Sequence, residues 1–163
     1  MISPAPTSVA AFVDGFCAGP VGRPLHLLSV ADVDRRLGSA DPASEASYAI
    51  RQFFLNGGSE AWAVRVAAAS GSPPDADALL GDADTGTGLH ALEGIEFNLL
   101  CVPGASRATG EGDSQAVLAA AVSMCERRSA VLLVDPPPDV RGADAIADWL
   151  RAGTVFGKPN AAL

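Results

Sequence analysis

The chain has 163 residues, enough for one domain, and 48% hydrophobic against 18% charged residues supplies a packed core and excludes disorder. A net charge of -8, from 19 acidic and 11 basic residues, is the opposite of the balance carried by a nucleic-acid binder. No apolar run approaches the ~20 residues needed to span a bilayer, and MISPAPTSVAAF has no basic region before its apolar part, so neither a membrane span nor an export signal is read.

Ser8 to Val13 is a short apolar run with β-branched and aromatic members, followed by Asp14-Gly15, and reads as a strand ending in a turn. Gly19-Pro20 and Arg23-Pro24 keep the backbone extended and irregular until Leu25 to Leu28 resumes a strand. Ser29, with Asp32 three residues on, predicts a capped helix over VADVDRRL in which Val33 and Leu37 share a face and Gly38 supplies the stop. Asp41-Pro42 predicts the next helix start, with Ala46, Ile50, Phe53 and Phe54 recurring at helical spacing and Asn56-Gly57-Gly58 ending it. Trp62, Val64 and Val66 alternate with Ala61, Ala63 and Arg65, which predicts a strand with one face more buried than the other.

Residues 67-85, with two prolines and aspartates at 75, 77, 82 and 84, read as a surface linker. A calcium loop needs alternating oxygen ligands, a central glycine and a closing glutamate, and these are not in place. From Gly86 to Gly104 a short helix leads into Phe97 to Val102 (FNLLCV), too short and apolar for an exposed helix and closed by Pro103-Gly104, hence a strand buried on both faces in mid-sheet. Ser114 to Arg128 carries the stripe Val117, Leu118, Ala121, Val122 and Cys125, with Arg127 and Arg128 at the negative end of the helix dipole. Ala130 to Val134 is a second fully apolar strand, and strand-helix-strand implies a parallel pair joined by a crossover. A last helix runs from Ala143 to Ala152, with Ile146, Trp149 and Leu150 inward and Gly153 after it. The strands at 61-66, 97-102 and 130-134 are expected in one mixed, partly parallel sheet flanked by helices, an α/β domain.

Each motif that suggests chemistry fails in context. Gly86-x-Gly88-x-x-Ala91 matches the dinucleotide fingerprint by letter but follows the aspartate-rich linker instead of a strand. The loop Gly110-Glu111-Gly112 lies between a strand and a helix, but Glu111 and Asp113 repel phosphate. Asp135, at the carboxyl end of an apolar strand, is placed where α/β enzymes put a catalytic acid, but reads better as the hydrogen-bond acceptor of a proline-rich turn. Cys17, Cys101 and Cys125 are odd in number and set among apolar residues, which fits reduced thiols in a cytosolic compartment; Cys101 as a nucleophile needs a histidine beside it. His26 and His90 are the only histidines, and both sit next to leucines. No catalytic, cofactor-binding or metal site is therefore assigned.

Several segments together resemble phage-type contractile tail sheath proteins in order and spacing: Pro6 to Val13, Gly19-Pro20-Val21, Ala49 to Gly58 (AIRQFFLNGG), Ala63 to Val66, GLHALEGIEFNLLCVPG, Cys125 to Arg128, and Leu132 to Pro137. The resemblance implies a structural, non-enzymatic subunit that stacks in helical rows with other sheath subunits around an inner tube and contracts to drive that tube through a target envelope. It implies assembly in the cytoplasm and a place in a phage tail or tail-like particle, with a core often described as subtilisin-like in outline. Nothing in the sequence marks a Ser-His-Asp triad. Family members carry an extended arm before the position of Pro6 and continue past the position of Leu163. The chain is thus expected to be a sheath-core fragment, truncated product or degenerate copy with unpaired strand edges, prone to self-association. The alternative is a small α/β binding or enzymatic domain using the loops after Val102 and Val134.

Overall fold

The computed structural model describes residues 8-108, 113-152 and 158-162. Pro6, Thr7, the Gly110-Gly112 loop, Gly153 and Leu163 lie outside them. Six strands form one sheet: β1 (Val9–Asp14), β2 (Pro24–Leu27), β3 (Glu60–Arg65), β4 (Leu99–Cys101), β5 (Val131–Leu133) and β6 (Ala161–Ala162), in the order β2-β3-β1-β4-β5-β6. All neighbours are parallel except β2, which pairs antiparallel with β3 at one edge. The expected one-sheet arrangement, with β4 and β5 parallel, is what forms.

Period-two alternation sorts the side chains into two cores. Val9, Ala11 and Val13 of β1 point to one face with Val64, Leu100 and Leu132, while Ala10 and Phe12 point to the other with Ala61 and Ala63. The expectation for β3 is corrected on one point: its small Ala61 and Ala63 are fully buried, and the large Trp62 is the half-exposed one. Trp62 lies opposite His26 on the edge strand β2, and their rings stack at 4.5 Å.

On the second face lie α1 (Val30–Leu37) and α2 (Glu45–Leu55). The N-cap of α1 forms as the sequence predicts, Ser29 Oγ accepting from the Asp32 amide and Gly38 ending the helix with φ 82°. Helix α2 does not begin at Pro42. Asp41 instead folds the chain into a turn, accepting from Ala43 N through its carboxylate and from Ser44 N through its carbonyl. The first turn of α2 is then capped from outside by Asp14, at the end of β1: Asp14 Oδ2 accepts from Ala46 N and from Ser44 Oγ, each at 3.0 Å, and Oδ1 accepts from Gly15 N at 2.8 Å. Ser44 holds the N-cap position but spends its hydroxyl on Asp14.

On the first face lie α3 (Ala76–Leu80), a 3-10 turn over Gly88–Leu92, and α4 (Asp113–Arg128), which buries the predicted stripe together with Met124. The segment read as a surface linker, 67-85, is corrected here. It contains α3, capped by Asp75 accepting from Ala78 N, and its Leu79 is fully buried in the core. A lone leucine pair between aspartates is too short a pattern to show a face. Gly81 and Gly88 touch where the chain folds back: a Cβ on Gly81 would stand 2.0 Å from the Thr87 carbonyl oxygen, and both residues have positive φ.

Strands β4 and β5 are three residues each, shorter than the apolar runs that announce them. The expectation that both are covered on both faces is also corrected, because Leu133 is 39% exposed. Helix α5 (Ala143–Ala152) has no fully buried residue and meets the first-face core through Trp149.

Replacing Asp14 by Ala leaves three donors without an acceptor and is expected to cost about 3 kcal/mol in urea unfolding. Burial raises the Asp14 carboxyl above its usual range, outweighing the hydrogen bonds from Ala46, Gly15 and Ser44 that favour the ionised form. A raised folded value contributes stability below the unfolded carboxylate range and loses it as pH rises through the folded value. The stability advantage of wild type over Asp14→Asn is therefore expected to shrink from acid toward neutral pH; an advantage that grows would contradict this assignment.

Candidate functional site

The α1-α2 layer covers β2, β3 and β1 and reaches Cys101 of β4, and among the described residues no element covers the second face beyond it. Two depressions of about 500 Å³ each lie along the exposed flank of α2 and share Ala49. The first has an apolar floor of Phe12, Leu99, Cys101 and Leu133, with Gln52 and Phe53 of α2 as its wall and Gly57-Gly58 at its end. The second lies at the carboxyl ends of the parallel strands, between Glu45 and Tyr48 of α2, Pro103 and Arg107 after β4, and Asp135 and Pro136 after β5. Together they form one trough.

The loops after Val102 and Val134 thus do converge, at the place where open α/β sheets bind ligands. Arg107 Nη2 donates to Glu45 Oε1, an ion pair that is about 40% exposed at both ends. The Asp135 carboxyl is raised by burial and by the nearby Glu45 charge. Among the described residues no hydrogen bond reaches the Asp135 carboxylate, so it is not the turn acceptor that the sequence suggests; the proline turn is closed by Val140 N donating to the Pro137 carbonyl. Among the described residues no serine, threonine, cysteine or histidine lines this end of the trough. Among the described residues no group of three His, Cys, Asp or Glu is placed to hold a metal ion.

The other singled-out residues are accounted for locally. His26 Nε2 lies 2.9 Å from Glu60 Oε1 on the sheet edge. His90 sits in the 3-10 turn beside Leu80, Leu89 and Met124. The Cys101 thiol is pushed up to about 12, first by burial and then by the Asp135 charge, and Cys125 up to about 11 by burial, so neither is a thiolate near neutrality. Of the two glycines in the fingerprint-like GTGLHA, Gly88 packs against the Gly81 backbone and Gly86 faces open space.

Two residues carry more of the architecture than the sequence suggests. Asp14 reads as a turn residue, yet it caps a helix 32 residues away. Asn98 opens β4 by bonding both neighbours: its Oδ1 accepts from Val9 N, and its carbonyl accepts from Val131 N. A polar residue at the start of an apolar run is the signal that marks it.

No protein-family profile matches the chain, and no curated protein matches it. A solved structure does: the helical sheath of the anti-feeding prophage in its contracted state, with a TM-score of 0.57 and 25% sequence identity over 89% of this chain. This chain spans 38% of the length of that sheath chain. The fold is sheath-like, and the structural neighbour is a component of a phage-like contractile machine.

Cys17 is the only exposed cysteine, and its Sγ lies 3.2 Å from Asp41 Oδ2, a contact that raises the thiol. Alkylation of the native protein is expected to modify Cys17 alone, and more slowly than a free thiol, with Cys101 and Cys125 reacting only after unfolding. Native reaction at Cys101 would show that its strand is not buried as described.

Proposed function

We propose that the chain is a structural subunit, or the core portion of one, of a contractile tail sheath in a phage or phage-like injection system. In this reading residues 1-163 are one α/β domain that packs with other sheath subunits around an inner tube, and contraction drives the tube into its target. It assembles in the cytoplasm and works as part of a tail particle. No helix among the described residues is long and apolar enough to cross a membrane.

The observation that carries the proposal is the match of 89% of the chain to the helical sheath of the anti-feeding prophage. The half-covered sheet supports it, since a trough of this size on a parallel sheet asks for a further layer. On the same reading the chain has no catalytic residue, cofactor or metal. The loops after Val102 and Val134 bring Arg107 and Asp135 beside Glu45 of α2, two carboxylates and one guanidinium, with no serine, threonine, cysteine or histidine among the described lining residues.

Electron microscopy of the purified chain, alone and with the products of its neighbouring reading frames, tests this directly. Tubes, stacked rings or a decorated inner tube are expected, and discrete particles under every condition would remove the sheath role. Replacing Asp135 or Cys101 by Ala is expected to change stability only; turnover of an ester, peptide or nucleotide that either substitution abolished in a folded protein would overturn the structural reading.

A further inference from the structure

The trough beside α2 has the length, lining and end charge of a site for one more helix. It follows α2 from Glu45 to Asn56, about 16 Å or three helical turns. Its floor presents Leu99 and Leu133 from strands that are parallel to their neighbours, and strands of this kind are normally covered on both faces. The first face of the same strands is covered by α4.

The two ends differ in charge. Asp135 has no ion pair among the described residues, and Glu45 already shares Arg107, so the end at the carboxyl termini of the strands holds two carboxylates against one guanidinium. The other end is formed by Ser8, Asn56 and Gly57-Gly58, and no described residue brings a charged side chain to it. A helix laid antiparallel to β4 and β5 brings its electropositive N-terminus to Asp135, while the reverse orientation sets its negative end there. A second copy of this chain brings a net charge of -8 to an acidic site. The similar sheath chain, by contrast, has most of its length outside the matched region, since this chain spans 38% of it.

Resting on the sheath reading, we propose that the trough receives a three-turn helix from sheath-subunit polypeptide outside these 163 residues, its apolar face on Leu99 and Leu133 and its N-terminus at Asp135. The helix completes the second layer beside α2 as α4 does on the opposite face.

The test uses the 163-residue protein and a fluorescent, stapled 14-residue peptide of Leu, Ala and Gln, its leucines at helical spacing and no charged side chain. Saturable one-to-one binding is expected by anisotropy. Leu133→Asp, which charges the floor, and Ala49→Phe, which fills the trough from α2 without adding charge, are each expected to weaken it at least tenfold, with circular dichroism confirming the fold. Asp135→Asn removes the charge facing the helix N-terminus and is expected to weaken binding roughly two- to fivefold, the size of a helix-dipole contact. Equal affinity in Leu133→Asp and Ala49→Phe overturns the proposal, whether or not tubes form. A concentration-dependent dimer that Leu133→Asp abolishes also overturns it, because the occupant is then a second copy. Specific binding by a protein that never forms tubes supports the helix site and overturns the sheath reading instead.

Discussion

The carboxylate of Asp14 ties the sheet to its helical layer, and much of the second face depends on it. It ends strand β1, which pairs with both β3 and β4, so its position is set by a strand held on both sides. From there it supplies the acceptor for the first turn of α2, whose own cap residue donates instead of accepting. A buried ionisable group is costly unless its partners satisfy it, and three donors do so here. The register of α2 on the sheet follows: Ala46 and Ile50 are fully buried beneath the cap, and Phe53 lies edge-on to Phe12 at 6.1 Å.

Arginine does similar work at the periphery, which accounts for a basic complement that is almost all arginine. Arg36 donates to the His26 carbonyl, Arg51 to the carbonyls of Ser47 and Gly38, Arg65 to Gly19, and Arg128 to Ile95. The contacts to Gly38, Gly19 and Ile95 fasten loops to α2, β3 and α4, a task suited to a planar fork of donors and poorly served by lysine. Arg128 also lies 5.3 Å from the Phe97 ring and pairs with Glu93, so the C-terminus of α4 is held to the segment leading into β4. The helix-dipole reading of Arg127 and Arg128 captures only part of this. Arg127 merely reaches Ser123 on its own helix.

The legible parts of the fold were those governed by period and by local capping. β1, β2, β3, the α4 stripe and the Ser29 cap depend on residues a few positions apart and formed where the pattern placed them, while β4 and β5 formed within their apolar runs but shorter. What sequence reading missed depends on distance. The true cap of α2 is 32 residues from its helix, so Asp41-Pro42 offered a plausible local start while Asp14 read as half of an Asp-Gly turn. Leu79 of α3 is buried by contacts supplied from elsewhere, and its aspartate-rich surroundings pointed to solvent. The open trough was equally hidden: an apolar strand looks the same in sequence whether its second face is covered or vacant. Convergence of the loops after Val102 and Val134 was legible from topology, but the unpaired state of Asp135 was not.

The two halves of the sheet are consequently built to different standards. β3 and β1 lie between two packed layers, with Leu27, Val33, Ile50 and Ala63 at zero exposure on the second face, while the edge strand β2 leaves His26 half-exposed on the first. On the second face β4 adds only Cys101 and the half-buried Leu99, β5 leaves Leu133 exposed, and β6 adds only two residues of pairing. Since burial on both faces is what stabilises a parallel strand, cooperative stability falls from the β1 side toward the β6 side. A domain made this way is firm where it is self-sufficient and receptive where it is not, and the receptive half ends in the short parallel strand β6. Covering Leu99 and Leu133 would therefore do two things at once: remove apolar surface from water and stiffen the strands that lead to β6.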